Sequence, residues 1–301
     1  MATQATPIPS SPSIKMDSAP IGIFDSGVGG LSVYLHLKQQ LPDEQYLYYA
    51  DTLNVPYGPR SSAEIKELTL IAVDWLVQSG CKLIVIACNS ASAHALQLAR
   101  HKYPHIPIVG LVPALKPAVL NSNSKSVAVL ATKATLDGEL LNTVISDYAL
   151  PAQVNVVKWF DPNLVPWVEA GMPIQSETPE RLKAQLKNFA QQKVDHLVLG
   201  CTHYPFFREF VMSQIADENL GIKVVDSGAA IAARVKTLLQ QSQSLAASKQ
   251  VEASNESLYI GHSDQERDDL SLAQSTLSFF VSDPKADLAE VSKLVNRLIH
   301  R

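Results

Sequence analysis

Positive charge is scarce in this 301-residue chain, where 25 Lys and Arg stand against 29 Asp and Glu for a formal net charge of -4. Charged residues make up only 18%. No basic field exists to hold a phosphate backbone or an anionic membrane surface, which excludes nucleic acid as the main ligand. Long apolar runs are missing too: the longest, 83–88 with its neighbours, falls far short of the roughly 18 residues a membrane-spanning helix needs. Cysteine is rare and odd in number. Cys81, Cys88 and Cys201 are spread over the chain without CxxC spacing, which argues against a disulfide scaffold and against a structural zinc site. The first twenty residues (MATQATPIPSSPSIKMDSAP) lack the basic start and apolar core of a secretory signal, so a reducing cytoplasm is the expected location. Their Pro, Ser and Thr content leaves little to bury, and residues 1–19 are expected to form a disordered extension. No Walker lysine motif occurs. Gly27-Val28-Gly29-Gly30 fails as a dinucleotide fingerprint, because Ser32 stands where the last glycine should be.

What is present is a high hydrophobic fraction, 46%, arranged as short apolar runs, each followed by a small polar cluster and then by helical periodicity. That alternation marks βα units around parallel sheets. The pattern predicts strands at 20–24, 45–49, 82–87, 106–112, 126–130, 154–159, 196–199 and 222–225, and a last one at 257–260. Helices are expected at 31–40, from Ser61 or Ser62 to Gly80, at 91–103, from a Thr178 cap to 192, through 239, and at 286–299. Residues 240–256, rich in Gln, Ser, Ala and Asn, read as a flexible connection. The segments LIVIACNSA and LVLGCTHYP are one device used twice, 113 residues apart: a buried strand, a cysteine at its carboxyl end, then a hydroxyl-bearing turn. The expected architecture is therefore two similar α/β domains with mainly parallel sheets, related by a pseudo-two-fold, with the active site in the crevice between them. Residues 20–113 plus 225–301 would form the first domain and 114–224 the second.

Ligands of open parallel sheets sit beyond the carboxyl ends of strands, and here those ends carry Asp25-Ser26, Asp51, Cys88-Asn89-Ser90, Thr132 and Cys201-Thr202-His203. A thiolate is a competent base and nucleophile, and its pKa falls where a helix N-terminus stabilises the anion. Both Cys88 and Cys201 are predicted at such positions. A single cysteine after a strand would be read as packing; two in matching contexts point to chemistry, whereas Cys81, at the start of a strand, reads as a packing residue. His203 titrates near neutrality. Asp25 and Asp51 could equally cap the turns that follow their strands. No clustered set of ligands suggests a metal.

The segments IGIFDSGVGGLSV (21–33), YADTLNVPYGPRS (49–61), IVIACNSASA (84–93), VPWVEAG (165–171), LVLGCTHYPF (197–206) and VVDSG (224–228), in this order, resemble the glutamate racemases, cofactor-independent amino-acid racemases of bacterial cell-wall synthesis. The resemblance implies interconversion of L- and D-glutamate by two-base proton transfer at the α-carbon, without cofactor or metal. It makes Cys88 and Cys201 the two catalytic thiols, the first abstracting from D-glutamate and the second from L-glutamate. It makes Asp25 the acid assisting the first, with His203 and Glu169 beside the second. Asp25-Ser26, Tyr57-Gly58, Asn89-Ser90 and Thr202-His203 match substrate-binding pairs, and Thr132 and Thr135 match further carboxylate contacts. Some resembling enzymes with N-terminal extensions are activated by UDP-MurNAc-L-alanine, which makes residues 1–19 a candidate for that response. Whether a homodimer forms is left open.

Ser90 stands where the family usually has threonine, the segment after Thr135 (LDGELLN) lacks the hydroxyl or aromatic residues expected, and Asp161 takes the neighbourhood of a frequent cysteine. Three other readings stay open at this level: a racemase of aspartate or another amino acid, a hydrolase or decarboxylase using one thiol, and an amino-acid binding protein that closes without chemistry.

Overall fold

The computed structural model describes residues 18–247, 257–264 and 275–300. The expected extension lies outside them except for Ser18 and Ala19, and Ala19 is already buried. Ten strands follow in chain order: β1 (Ile21–Asp25), β2 (Tyr46–Ala50), β3 (Leu83–Ile86), β4 (Ile108–Gly110), β5 (Ser126–Leu130), β6 (Asn155–Trp159), β7 (His196–Leu199), β8 (Lys223–Val225), β9 (Leu258–His262) and β10 (Leu277–Val281). They form a six-stranded sheet in the order β4-β3-β1-β2-β10-β9 and a four-stranded sheet in the order β6-β5-β7-β8. Each strand pairs in parallel with its neighbours. Continuous apolar runs suit such strands because helices cover both faces of the sheet, and β1, β2, β3, β5, β7 and β10 are buried at every residue.

One strand escaped the pattern. β10 lies between β2 and β9 in the first sheet, so the final segment supplies two strands instead of the single one expected at 257–260. Its sequence LSFFV is a short apolar run between Thr276 and Ser282, which is the local signal of a buried strand. Helix starts differ as well. Helix α1 (Leu31–Gln40) begins as expected, and α2 (Ser62–Gln78) opens on a reciprocal capping box between Ser61 and Glu64. Helix α3 (Asn89–Lys102) begins two residues before the expected 91, because Cys88 itself takes the capping place with its Sγ accepting the Ala91 N–H at 3.5 Å. Thr178 is not a cap but the first residue of its helix, followed by Pro179, and no side chain caps that end.

Residues 240–256 are only partly described. Gln240 and Gln241 finish the helix Gly228–Gln241, and the next residues are tied down. The Lys82–Glu44 ion pair, 2.6 Å long and almost wholly buried, donates from Lys82 Nζ to the Ser244 carbonyl at 2.8 Å and accepts the Ala246 N–H on Glu44 at 2.9 Å. Burial of a charge pair is tolerable here because its remaining hydrogen-bonding capacity is used.

Register sets up the cleft. Phe24 pairs with Tyr49 and with Ile86, so Asp25, Asp51 and Cys88 emerge at one edge of the first sheet. Leu130 pairs with Leu199, so Thr132 and Cys201 emerge together from the second. One buried apolar cluster, including Leu31 and Val33 of α1, Leu130 and Leu199 of the second sheet, and Phe206 and Phe207, joins the two sheets behind that edge. No helix among the described residues is long and apolar enough to cross a membrane.

Candidate active site

The turn between β1 and α1 is built to receive side chains from the other sheet. A Cβ on Gly27 would strike the Glu169 carboxylate, and one on Gly29 would strike His203 and come within 2.6 Å of Thr202 Oγ1. The missing side chains let the backbone act as the binding surface. Val28 donates its N–H to Glu169 Oε1 at 3.0 Å, and the same oxygen faces His203 Nε2 at 2.6 Å. The other ring nitrogen, Nδ1, stands 3.7 Å from Cys201 Sγ. A thiol, an imidazole and a carboxylate are thus in line. Beside them Thr202 donates its hydroxyl to Asp25 Oδ2 at 2.9 Å, while Asp25 Oδ1 accepts the Gly27 N–H.

Cys88 lies across from this chain, donating its thiol hydrogen to Ser26 Oγ at 3.7 Å. Both thiols are buried. A second seam closes the cleft where Ser90 Oγ meets Thr132 Oγ1 at 2.9 Å and Thr132 Oγ1 meets Thr135 Oγ1 at 3.0 Å. Here the Gly58 carbonyl accepts the Ala134 N–H at 3.3 Å. A Cβ on Gly58 would sit 3.1 Å from Thr132 Cβ. Asn89 carries the open valence of this wall, because its Nδ2 is buried with no hydrogen-bond partner. A buried donor left unpaired costs free energy that a ligand oxygen would recover.

The expected groups are mostly brought together, with two exceptions. Tyr57 spends its hydroxyl on Asp51 Oδ2 at 2.6 Å, and Asp51 also accepts from Asn54 and Ser282. Asp51 is therefore a loop anchor, and only Gly58 of the Tyr57-Gly58 pair borders the seam by its backbone. Cys81 packs against Gly22, and burial pushes its thiol well up. Asp161, in the place of a frequent family cysteine, accepts from Arg181 Nε at 3.0 Å and from the Asn163 N–H at 2.8 Å. It thereby holds the start of the helix Leu164–Glu169, which ends on the carboxylate facing His203. Two residues were not singled out from the sequence. Tyr48 donates its hydroxyl to the Gly27 carbonyl at 2.9 Å, and Ser32 donates to the Thr202 carbonyl. Only the polar Ser32 within an otherwise apolar helix start hinted at either.

Electrostatics overturn one expectation. Burial pushes Cys88 up to about 12, with the charge of Asp25 adding to the effect and the Ala91 N–H opposing it. The helix start at Cys88 does not lower the thiol, because desolvation outweighs one backbone donor. Cys201 is not at an α-helix start at all, being followed by the short 3-10 turn Tyr204–Phe207. Burial works against a charged His203, but the facing Cys201 sulfur and Glu169 carboxylate outweigh it and hold the imidazole well above its ordinary value.

Asp25 is raised from 3.8 to about 6, by burial first, against the pull of His203, the Gly27 amide and the Thr202 hydroxyl. Folded Asp25 therefore keeps its proton to higher pH than the unfolded chain does. Its contribution to stability declines as pH rises from about 4 to about 6 and is a constant penalty above that. Asp25→Asn can keep both hydrogen bonds without the charge. Near neutral pH its urea midpoint should exceed wild type by an amount worth on the order of 2 kcal/mol, and the gap should close near pH 4. A gap of equal size at both pH values would refute a buried charge as its cause.

Among the described residues no group of three His, Cys, Asp or Glu is placed to hold a metal ion. One buried thiol from each sheet, each beside its own carboxylate or imidazole, defines an acid/base site with two proton-bearing sulfurs, the class to which a racemising or epimerising isomerase belongs.

The family model described as Asp/Glu/Hydantoin racemase matches residues 21–235. A glutamate racemase of Deinococcus radiodurans is 47% identical over 222 residues, 74% of this chain and 75% of that one. One from Ectopseudomonas mendocina is 40% identical over 233 residues, 77% and 87% of the two chains. Among solved structures, Francisella tularensis glutamate racemase in complex with D-glutamate superposes with a TM-score of 0.73 at 25% identity, covering 95% of each chain. Escherichia coli glutamate racemase in complex with L-glutamate and the activator UDP-MurNAc-Ala gives a TM-score of 0.69 at 30% identity, covering 87% of this chain and 98% of that one. The chain belongs to the Asp/Glu/hydantoin racemase family and, within it, to the glutamate racemases.

Proposed function

We propose that the protein interconverts L- and D-glutamate by two-base proton transfer between Cys88 and Cys201, supplying D-glutamate for peptidoglycan synthesis. The observation that carries the reading is the pair of buried thiols, one just after β3 and one just after β7, near enough for the charge of Cys201 to act on Cys88. Starting from L-glutamate, the Cys201 thiolate takes the α-proton and the bonding pair stays on the α-carbon. The Cys88 thiol then delivers its proton to the opposite face. The sulfurs have exchanged protonation states, and the reverse reaction starts from there. His203, paired with Glu169, exchanges a proton with Cys201, and Asp25 stands near Cys88 and Thr202. Asn89 Nδ2 and the Ser90, Thr132 and Thr202 hydroxyls receive the substrate carboxylates and the charge that develops on them.

A thiol raised to about 12, as Cys88 is, makes a stronger base toward carbon once ionised but is seldom ionised in the empty site. The substrate ammonium, a cation arriving near the Asp25 carboxylate whose charge raises Cys88, lowers that cost at the moment of binding. Burial and catalysis are thereby reconciled.

D-glutamate in deuterated buffer, with no added cofactor, tests the reading by circular dichroism and mass analysis. The signal should decay to zero, with one deuterium at the α-carbon of the product. A persistent signal with stoichiometric glutamate binding would convert the protein into a binding protein. The response of the E. coli relative to UDP-MurNAc-Ala is proposed for this chain as well, and deletion of residues 1–17 tests whether that segment carries it.

A further inference from the structure

Ser32 donates its hydroxyl to the main-chain carbonyl of Thr202 at 2.8 Å, joining positions 170 residues apart. Both residues are buried, at 6% and 4% exposure. A serine inside a helix ordinarily bonds back to its own preceding turn or to water; here, in the first turn of α1, it reaches across to the other sheet. The carbonyl it holds belongs to the peptide between Thr202 and His203, so the bond grips the turn that aims Cys201 Sγ and His203 Nδ1 at each other. The same β1–α1 segment grips this region twice more, through the Val28 amide on Glu169 and through Asp25 on the Thr202 hydroxyl. The Gly29 backbone lies directly against the His203 ring and the Thr202 hydroxyl, since a Cβ on Gly29 would strike both side chains. Slack in the seam would pass directly to the sulfur. Cys88 is held differently, by Ser26 and the Ala91 amide.

We propose that Ser32 is a positioning residue for the Cys201 half of the proton transfer, holding the Cys201–His203 turn against the first sheet so that thiol and imidazole meet the substrate in register. The inference rests on the two-thiol reading above. Ser32 touches no reacting atom; it acts through the Thr202 carbonyl, and small misplacements of a proton-transfer group are costly.

The test compares wild type, Ser32→Ala and Ser32→Thr. Ser32 borders a cavity of only about 10 Å³ that also touches Asn89, Leu111 and Cys201; Ser32→Thr keeps the hydroxyl, and an unchanged melting temperature checks that the added methyl is tolerated. Ser32→Ala should lower kcat/KM about tenfold, the worth of one buried hydrogen bond. The loss must be equal in both directions, because the enantiomers are equal in energy. The diagnostic readout is the isotope effect on kcat/KM. With α-deuterated L-glutamate, where Cys201 removes the deuteron, it should rise above wild type; with α-deuterated D-glutamate, where Cys88 removes it, it should fall. Ser32→Thr should restore both. General structural damage reduces the amount of active enzyme but moves neither isotope effect, so values unchanged from wild type, or shifted in the same direction, overturn the proposal. Absence of α-proton exchange in the wild-type protein would instead sink the two-thiol reading itself.

Discussion

Cys88→Ala and Cys201→Ala should each lower glutamate racemisation by at least about a thousandfold, within the range that a positioned acid/base group contributes. The two variants should then differ in what they retain. A single base can only return a proton to the face from which it took it. Cys88→Ala keeps the Cys201–His203–Glu169 line and should still wash deuterium into L-glutamate with no inversion, leaving D-glutamate untouched. Cys201→Ala should do the converse. Mass analysis of each enantiomer after incubation in deuterated buffer separates these outcomes, and racemisation at the wild-type rate in either variant would refute the assignment of both sulfurs. Folding should survive, because losing one buried sulfur is a small deletion compared with a large aliphatic side chain, and far-ultraviolet circular dichroism checks it.

His203→Ala should cost about a hundredfold in kcat/KM, and its pH profile should lose its alkaline limb. The sign follows from the environment. Because the Cys201 sulfur and the Glu169 carboxylate hold His203 above its ordinary value despite burial, the imidazolium persists through neutral pH. Activity that depends on it is present there and lost as pH rises through the folded-state value. Glu169→Gln removes one source of that upward shift and keeps a hydrogen-bond acceptor for Nε2. Its alkaline limb should therefore move to lower pH, with a loss of about tenfold near neutrality. A limb that stays in place in Glu169→Gln would show that another group titrates there. The loss should be larger for the histidine because it faces the sulfur, whereas Glu169 acts through it.

Both experiments concern side chains that stand in local motifs, and that is why so much of the site was readable before any fold was known. Cysteine followed by Asn-Ser or Thr-His after an apolar run identifies a strand end, and strand ends are where parallel sheets bind ligands. Helix capping was readable for the same reason at Ser61, whose partner Glu64 is three residues away. It failed at Thr178, where Pro179 sets the first turn, and at Cys88, where sulfur took a place usually filled by oxygen. β10 carries a short apolar run of its own, but its place between β2 and β9 is a tertiary matter, because β2 lies more than 200 residues earlier in the chain. Asp25 and Asp51 look alike in the sequence, each ending a strand with a small turn after it. One reaches Thr202 of the second sheet and the other a tyrosine of its own loop.

The order of apolar and small polar segments determined that this chain is a pair of parallel α/β units with a thiol at the edge of each, because strand, turn and helix preferences are set over a few neighbouring residues. Tertiary structure decided which carboxylate stands near which thiol, which hydroxyls pair across the seam, that Ser32 reaches Thr202, and that burial raises the Cys88 thiol rather than lowering it. Those outcomes depend on desolvation and on hydrogen bonds between residues such as Val28 and Glu169, 141 positions apart. Only folding brings such atoms together, and only folding removes the water that would otherwise screen them.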